Sequence, residues 1–210
     1  MYMTIEQAQS QKQSANKKQR DTIKMPNPEA IVNAMGTKSL VFVGMMGCGK
    51  TAIGRITASA LGLKFYDADK EIEHAADLSV PEIFEKYGEA YFRSGEEKVI
   101  QRLLQDGPCV LSLGGGAFMS EATRKACEEL AISVWLKADI EILLTRVMKR
   151  PGTRPILQTG NPRQTLIDLS IKRDPIYALA DLHVESSKIS KGRTRDTLLI
   201  ALAKHLGTES

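Results

Sequence analysis

At 210 residues and 42% hydrophobic, the chain carries enough apolar material for one substantial core, so a single domain is the default. No apolar run approaches the roughly 18 residues that span a bilayer, and the N-terminus lacks the apolar block of a signal peptide, so a soluble, cytoplasmic protein is expected. The formal charge is +4, but six basic and three acidic residues fall within the first 38 positions, which leaves the body near neutral and gives no basic surface for nucleic acid.

In chain order, Met1 to about Gly36 is rich in Gln, Lys, Ser, Asn and Thr, with too few apolar residues for a packed core. Residues 1–36 are therefore expected to be a disordered or partly helical tail, and 37–210 the folded body. Glu6, Asp21 and the lone Arg20 count against a transit peptide. From Ser39 onward, short apolar runs alternate with helical periodicity. The expected strands are Leu40 to Val43, Leu63 to Tyr66, Cys109 to Leu113, Ser133 to Leu136 and Leu182 to Val184. Helices are expected over Lys50 to Leu61 with Gly62 as a stop, from a Ser79/Glu82 capping box to Tyr87, and over Glu89 to Gln105. Others fall at Glu121 to Leu130, Asp139 to Val147, from an Asn161 cap and Pro162 towards Lys172, and at Thr194 to Leu206. Continuous apolar strands alternating with helices indicate an α/β fold with a parallel sheet covered on both faces. Cys48, Cys109 and Cys127 contain no C-x-x-C pair, so neither a disulfide framework nor a zinc ribbon is implied.

The stretch VFVGMMGCGKTAIG places Gly44, Gly49, Lys50 and Thr51 in the spacing G-x-x-x-x-G-K-T, between a strand and a helix. Glycines there let backbone N–H groups close on a phosphate, and the helix N-terminus adds partial positive charge. Lys50 is expected to reach the β- and γ-phosphates and Thr51 to ligate Mg²⁺. Cys48 lies inside the loop, where a small side chain suffices. A phosphate loop alone leaves a switch GTPase, a small-molecule kinase and a non-catalytic module open. The chain holds no N-K-x-D and no D-x-x-G tetrapeptide, which sets the GTPase aside.

Asp67 and Asp69, in FYDADKEIE, fall at the carboxyl edge of the second strand, where open α/β sheets bind ligands. If the segment stays extended, positions i and i+2 share a side, so both carboxylates face the cleft. One could hold a metal-bound water while the other orients a nucleophilic hydroxyl; Asp before KEIEH is also ordinary helix-cap grammar. Gly114, Gly115 and Gly116 follow the third strand and allow close backbone approach to a ligand. Arg93 in EAYFRSGEE and Arg173 in SIKRDPIY would suit an anionic substrate if they converge on the cleft, and are otherwise surface charges or ion pairs. Arg154, in the Pro- and Gly-broken KRPGTRPIL, has the setting of a lid arginine that clamps phosphate.

Taken in order, GMMGCGKT, D-A-D, F-R-S-G-E-E, S-L-G-G-G, T-R-P-I-L and K-R-D-P-I-Y resemble shikimate kinase from Ser39 to the C-terminus. The resemblance implies a three-layer P-loop kinase fold with a five-stranded parallel sheet, a helical substrate-binding segment and a mobile lid at about 148–162. It implies transfer of the ATP γ-phosphate to the 3-hydroxyl of shikimate, with ATP and Mg²⁺ required, by a monomer that engages no nucleic acid or membrane. On this reading Gly44, Met45, Met46, Gly47, Cys48, Gly49, Lys50, Thr51 and Ala52 cradle the nucleotide. Lys50 and Arg154 stabilise the transferring phosphoryl, and Thr51 and Asp67 support the metal. Asp69 engages the acceptor hydroxyls, while Arg93, Arg173 and the Gly114, Gly115 and Gly116 amides hold the carboxylate and ring. Arg146, Lys149 and Arg150 stand as adenine neighbours with no choice among them. Gluconate kinase, a nucleoside monophosphate kinase and an inert nucleotide-binding module are the alternatives.

Overall fold

A computed structural model describes residues 24–149, 160–186 and 189–209. Five strands form one sheet: β1 (Ser39–Val43), β2 (Lys64–Asp67), β3 (Cys109–Ser112), β4 (Ala131–Lys137) and β5 (Leu182–Glu185). Their order is β2-β3-β1-β4-β5, and every neighbouring pair is parallel. The apolar runs explain this arrangement. All residues of β1 and β3 are buried, as are all but the last of β4, whereas the edge strands β2 and β5 keep partly exposed positions. Strands buried on both faces need helices on both sides, and crossover connections supply them. From β1 the chain moves outward to β2, returns to β3, then crosses β1 to reach β4. The switch therefore lies beside β1, and loops leaving β1 and β3 open a crevice there.

The helices are α1 (Pro28–Met35), α2 (Lys50–Leu61), α3 (Ala68–Ala76), α4 (Val80–Gln105), α5 (Glu121–Leu130), α6 (Ile140–Met148), α7 (Pro162–Tyr177) and α8 (Lys191–His205). Local sequence sets many of their ends. Gly62 closes α2 at φ 67°, and Ser79 and Glu82 form the reciprocal capping box of α4. Asn161 caps α7 by accepting from the Arg163 and Gln164 amides at 3.0 and 3.4 Å. The two helical arms read on either side of Gly88 meet there at φ 80°, ψ 172°, outside the helical region, so α4 is two arms joined at a break.

Three boundaries depart from expectation. Within the segment expected as a disordered or partly helical tail, Pro28–Met35 is helical and packs on the body. Asn27 accepts from the Glu29 amide at 3.0 Å to start α1, and Ile31 and Met35 enter the main core at 0% and 4% exposure. Ile31, Val32 and Met35 share one helix face that packs against α2 and α8, although the surrounding composition is polar. Helix α7 continues past Lys172 to Tyr177, which carries Arg173 into the helix. Helix α8 starts at Lys191 because Ser190, rather than a residue nearer Thr194, supplies the cap. Ile31→Ala is expected to lower the unfolding free energy by about 2 to 5 kcal/mol; urea titration of both proteins checks it.

Candidate active site

The loop from Gly44 to Gly49 leaves β1 and turns directly into α2. Gly44, Gly47 and Gly49 adopt φ of 133°, 81° and 108°, a region that side chains rarely tolerate. Space enforces the same choice at Gly44, where a Cβ would stand 2.6 Å from the Leu136 carbonyl oxygen. Lys50 Nζ donates to the Gly44 and Met45 carbonyls at 2.8 and 3.2 Å, so the ammonium lies over the loop. The Thr51 hydroxyl donates to Asp67 Oδ2 at 2.7 Å and joins the start of α2 to the end of β2.

Cys48 is buried, and its carbonyl accepts from the Ser186 hydroxyl at 2.8 Å and from Arg146 Nη1 at 3.3 Å. Arg146 also donates to the Gly47 and Ser186 carbonyls at 3.2 and 3.0 Å. Carbonyls held outward in this way leave the loop's amide face turned the other way, towards an anion.

A cavity of about 910 Å³ extends from this loop to the glycines after β3. Asp67 ends β2, but Asp69 lies in the first turn of α3, not on an extended segment. The i, i+2 reasoning was therefore wrong, because the helix begins at Ala68. Asp67 holds the N-cap position without a side-chain capping bond, since its carboxylate is engaged by Thr51. Both carboxylates still reach the cavity, brought there by the strand-to-helix turn. Burial, then the nearby Asp67 carboxylate, raises the pKa of Asp69 above the usual carboxylate range against the opposing pull of Lys50 and Arg93.

Arg93 and Arg173 both line the cavity, from α4 and α7. Arg93 Nη1 pairs with Glu96 Oε2 at 2.6 Å, and its Nη2 with Glu89 Oε1 at 3.2 Å. Burial works against the charged guanidinium, yet these two acids raise its pKa on balance. The Glu96 side chain is 3% exposed, and burial lifts its own pKa despite Arg93. Its Oε1 has no hydrogen-bond partner among the described residues. Arg173 Nη1 donates to the Gly115 carbonyl at 3.0 Å, and the Tyr177 hydroxyl donates to that same oxygen. A Cβ at Gly114 would stand 2.7 Å from Asp69 Oδ1 and 2.8 Å from Glu96 Oε1, and one at Gly116 would stand 2.7 Å from Arg93 Nη2. The glycine run is thus the space into which the charged groups fit.

With this geometry, the glycine loop at the start of α2 and the two guanidiniums of Arg93 and Arg173 share one crevice. The sequence profile of the shikimate kinase family matches residues 46–202. The chain belongs to the shikimate kinase family. It is 48% identical over 181 residues to the shikimate kinase of Bradyrhizobium diazoefficiens, covering 86% of this chain and 87% of that one. Identity to the shikimate kinase of Ruegeria pomeroyi is 53% over 171 residues, with coverages of 79% and 85%. In three dimensions it is similar to the Acinetobacter baumannii shikimate kinase solved in complex with shikimate. The TM-score is 0.75 and identity 36%, over 85% of this chain and 98% of that one.

Of the residues singled out from sequence, Met46 to Ala52, Asp67, Asp69, Arg93, Gly114 to Gly116 and Arg173 line the same cavity. Arg150 and Arg154 lie outside the described residues, as does most of the expected lid. Glu96, Tyr177 and Ser186 were missed as parts of the site. Glu96 stands three residues after Arg93 in F-R-S-G-E-E, the spacing of a helical ion pair, so the sequence offers it as a structural partner of the arginine but not as part of the cavity wall. Gly44→Ala should destabilise by more than about 2 kcal/mol, since both its φ and a rigid carbonyl forbid the methyl. Gly116→Ala should cost less than about 1 kcal/mol, because only the flexible end of Arg93 must give. Parallel urea titrations distinguish the two.

Proposed function

We infer that this chain transfers the γ-phosphoryl group of ATP to the 3-hydroxyl of shikimate, giving shikimate 3-phosphate and ADP. The observation that carries this reading is the convergence of Arg93, Arg173 and the Gly114–Gly116 backbone beside Asp69, in one cavity with the phosphate loop. Two guanidiniums suit a carboxylate, and buried acids suit ring hydroxyls, so the acceptor half fits a small polyhydroxy acid. Membership of the shikimate kinase family and the shikimate complex of the Acinetobacter relative support the same acceptor.

In this reading the acceptor oxygen forms a bond to the γ-phosphorus as the bond to the β–γ bridging oxygen breaks, and ADP leaves with those electrons. The Asp69 carboxylate accepts the hydrogen bond of the attacking hydroxyl and takes up its proton. Its raised pKa suits that task better than an ordinary aspartate would. Lys50 stays over the loop and meets negative charge as it spreads on the phosphoryl oxygens. Arg154 would add a second cation from the lid, taken as about 148–162. The Thr51 hydroxyl and Asp67 carboxylate fit Mg²⁺ as a small oxygen donor set, to be completed by phosphate oxygens and water. Among the described residues no group of three or more metal-ligating side chains competes for it. When bound, Mg²⁺ neutralises phosphate charge.

We place the kinase body from Pro28 onward, as a cytoplasmic monomer acting on a small molecule without nucleic acid or membrane. No helix among the described residues is long and apolar enough to cross a membrane.

A coupled assay offering shikimate, gluconate and AMP as acceptors tests the function. Turnover confined to shikimate is expected, and preference for either other acceptor overturns the reading. Arg93→Met and Arg173→Met should each raise the KM for shikimate by about one to two decades while the KM for ATP stays near wild type. Equal rises for both substrates would remove these arginines from the acceptor site.

Asp69→Asn should abolish most turnover and yet raise the melting temperature at neutral pH. A carboxylate whose folded pKa is raised opposes folding once ionised, so its neutral isostere relieves burial and repulsion from Asp67. The stability gap should close as pH falls below the usual carboxylate range, where both folded and unfolded wild type hold the proton. Calorimetric scans between acid and neutral pH check the sign.

A further inference from the structure

Tyr177 is the last residue of α7, fully buried at 0% exposure, and no step described so far uses its hydroxyl. That hydroxyl donates to the Gly115 carbonyl, the oxygen that also accepts from Arg173 Nη1 at 3.0 Å. The chain has no cis peptide bonds among the described residues, so the Gly115–Gly116 peptide is trans and its C=O and N–H point in opposite directions. Two donors on the carbonyl therefore fix the direction of the Gly116 N–H. The Gly115 and Gly116 amides make no backbone hydrogen bond outside regular elements among the described residues, and both glycines line the cavity. A glycine peptide would otherwise rotate easily, since neither residue carries a Cβ to bias it.

The same ring has a second contact. Its centroid lies 6.0 Å from that of Trp135 on β4, and Trp135 Cδ1 stands 3.3 Å from the place a Gly44 Cβ would occupy. Tyr177 and Trp135 together span from the glycines after β3 towards Gly44, the first glycine of the loop after β1.

We propose that Tyr177 is a positioning residue for the acceptor. Its hydroxyl holds the Gly115–Gly116 peptide so that the Gly116 amide faces the cavity as a ready donor to the acid group of the acceptor. Arg173 shares the carbonyl, but it is also assigned to the substrate. Tyr177 is the donor with no other task, and burial raises its pKa and keeps the phenol protonated over the working range. Preorganised backbone donors act in binding without a reorganisation cost when the ligand arrives.

This inference rests on shikimate as the acceptor, so wild-type turnover of shikimate is established first. Tyr177→Phe removes one oxygen and keeps the packed ring. The expected result is a three- to tenfold rise in both the KM for shikimate and its dissociation constant by calorimetry, in the full chain without nucleotide. The KM for ATP should stay within twofold. If wild type is active on shikimate and the Phe variant keeps the wild-type KM, the proposal is overturned while the function stands. If the KM values for ATP and shikimate rise together with a fall in melting temperature, the hydroxyl is only structural and the proposal is again overturned. Tyr177→Leu, which loses ring and hydroxyl, provides the second comparison. It should move the ATP constant as well, because the contact with Trp135 goes with it; an ATP constant unchanged there overturns the link between the two loops.

Discussion

Two carboxylates, the buried Glu96 and the more exposed Asp69, approach the same glycine, and the pKa of each is raised, chiefly by desolvation. The Asp69 carboxylate makes ionising Glu96 harder. What holds them as a pair is Arg93, at 2.6 Å from Glu96 and counted among the charges that oppose the rise at Asp69. A buried ion pair seldom adds much net stability, but removing one partner leaves the other charge uncompensated. The acceptor half of the site therefore depends on a guanidinium that α4 cannot easily release. Arg93 remains 34% exposed, and the edge that does not touch Glu96 meets only the exposed Glu89 at 3.2 Å. A second anion would exchange with the exposed Glu89 and leave the buried pairing with Glu96 in place.

The glycines follow from this crowding. Gly114 and Gly116 leave room for Asp69, Glu96 and Arg93, while Gly44 leaves room for the Leu136 carbonyl beside Trp135. Conformational freedom explains only part of the sequence: Gly114, Gly115 and Gly116 have ordinary negative φ, unlike Gly44, Gly47 and Gly49. The phosphate loop needs glycine mainly for its backbone path, and the acceptor loop needs it mainly for volume.

This difference also decides what could be read in advance. The phosphate loop is local: nine consecutive residues carry strand end, turn and helix start, and α2 forms over the expected Lys50 to Leu61. The capping box at Ser79, the stop at Gly62 and the break at Gly88 were legible for the same reason, since neighbours in sequence determine them. Helix α1 was not, because Ile31 and Met35 gain their burial from α2 and α8 rather than from their own polar stretch. Asp69 was placed at the right edge by the wrong geometry, as propensity for an early helix start at Ala68 overrode a two-residue strand extension. Tyr177 and Ser186 act on carbonyls 62 and 138 positions away, and no pattern along the chain announces such a bond.

A division of labour follows. The nucleotide half is built from backbone, which any sequence with the right glycines can provide, and its side-chain supports, Arg146 and Ser186, also act on carbonyls. The acceptor half proposed above instead takes its side chains from α3, α4 and α7, three elements that meet only through the fold. Helix α4 reaches the cavity with Val80, Pro81 and Phe84 before Gly88 and with Phe92, Arg93 and Glu96 after it. The charged residues Arg93 and Glu96 both follow the break at Gly88, while Phe92 beyond it still packs against Phe84 before it, at a ring-centroid distance of 4.7 Å. A change of angle there would alter the spacing between the surface that meets a ring and the cation that meets its acid group. On the proposed assignment, selectivity for the acceptor is accordingly a property of helix packing, whereas phosphate binding is a property of one loop.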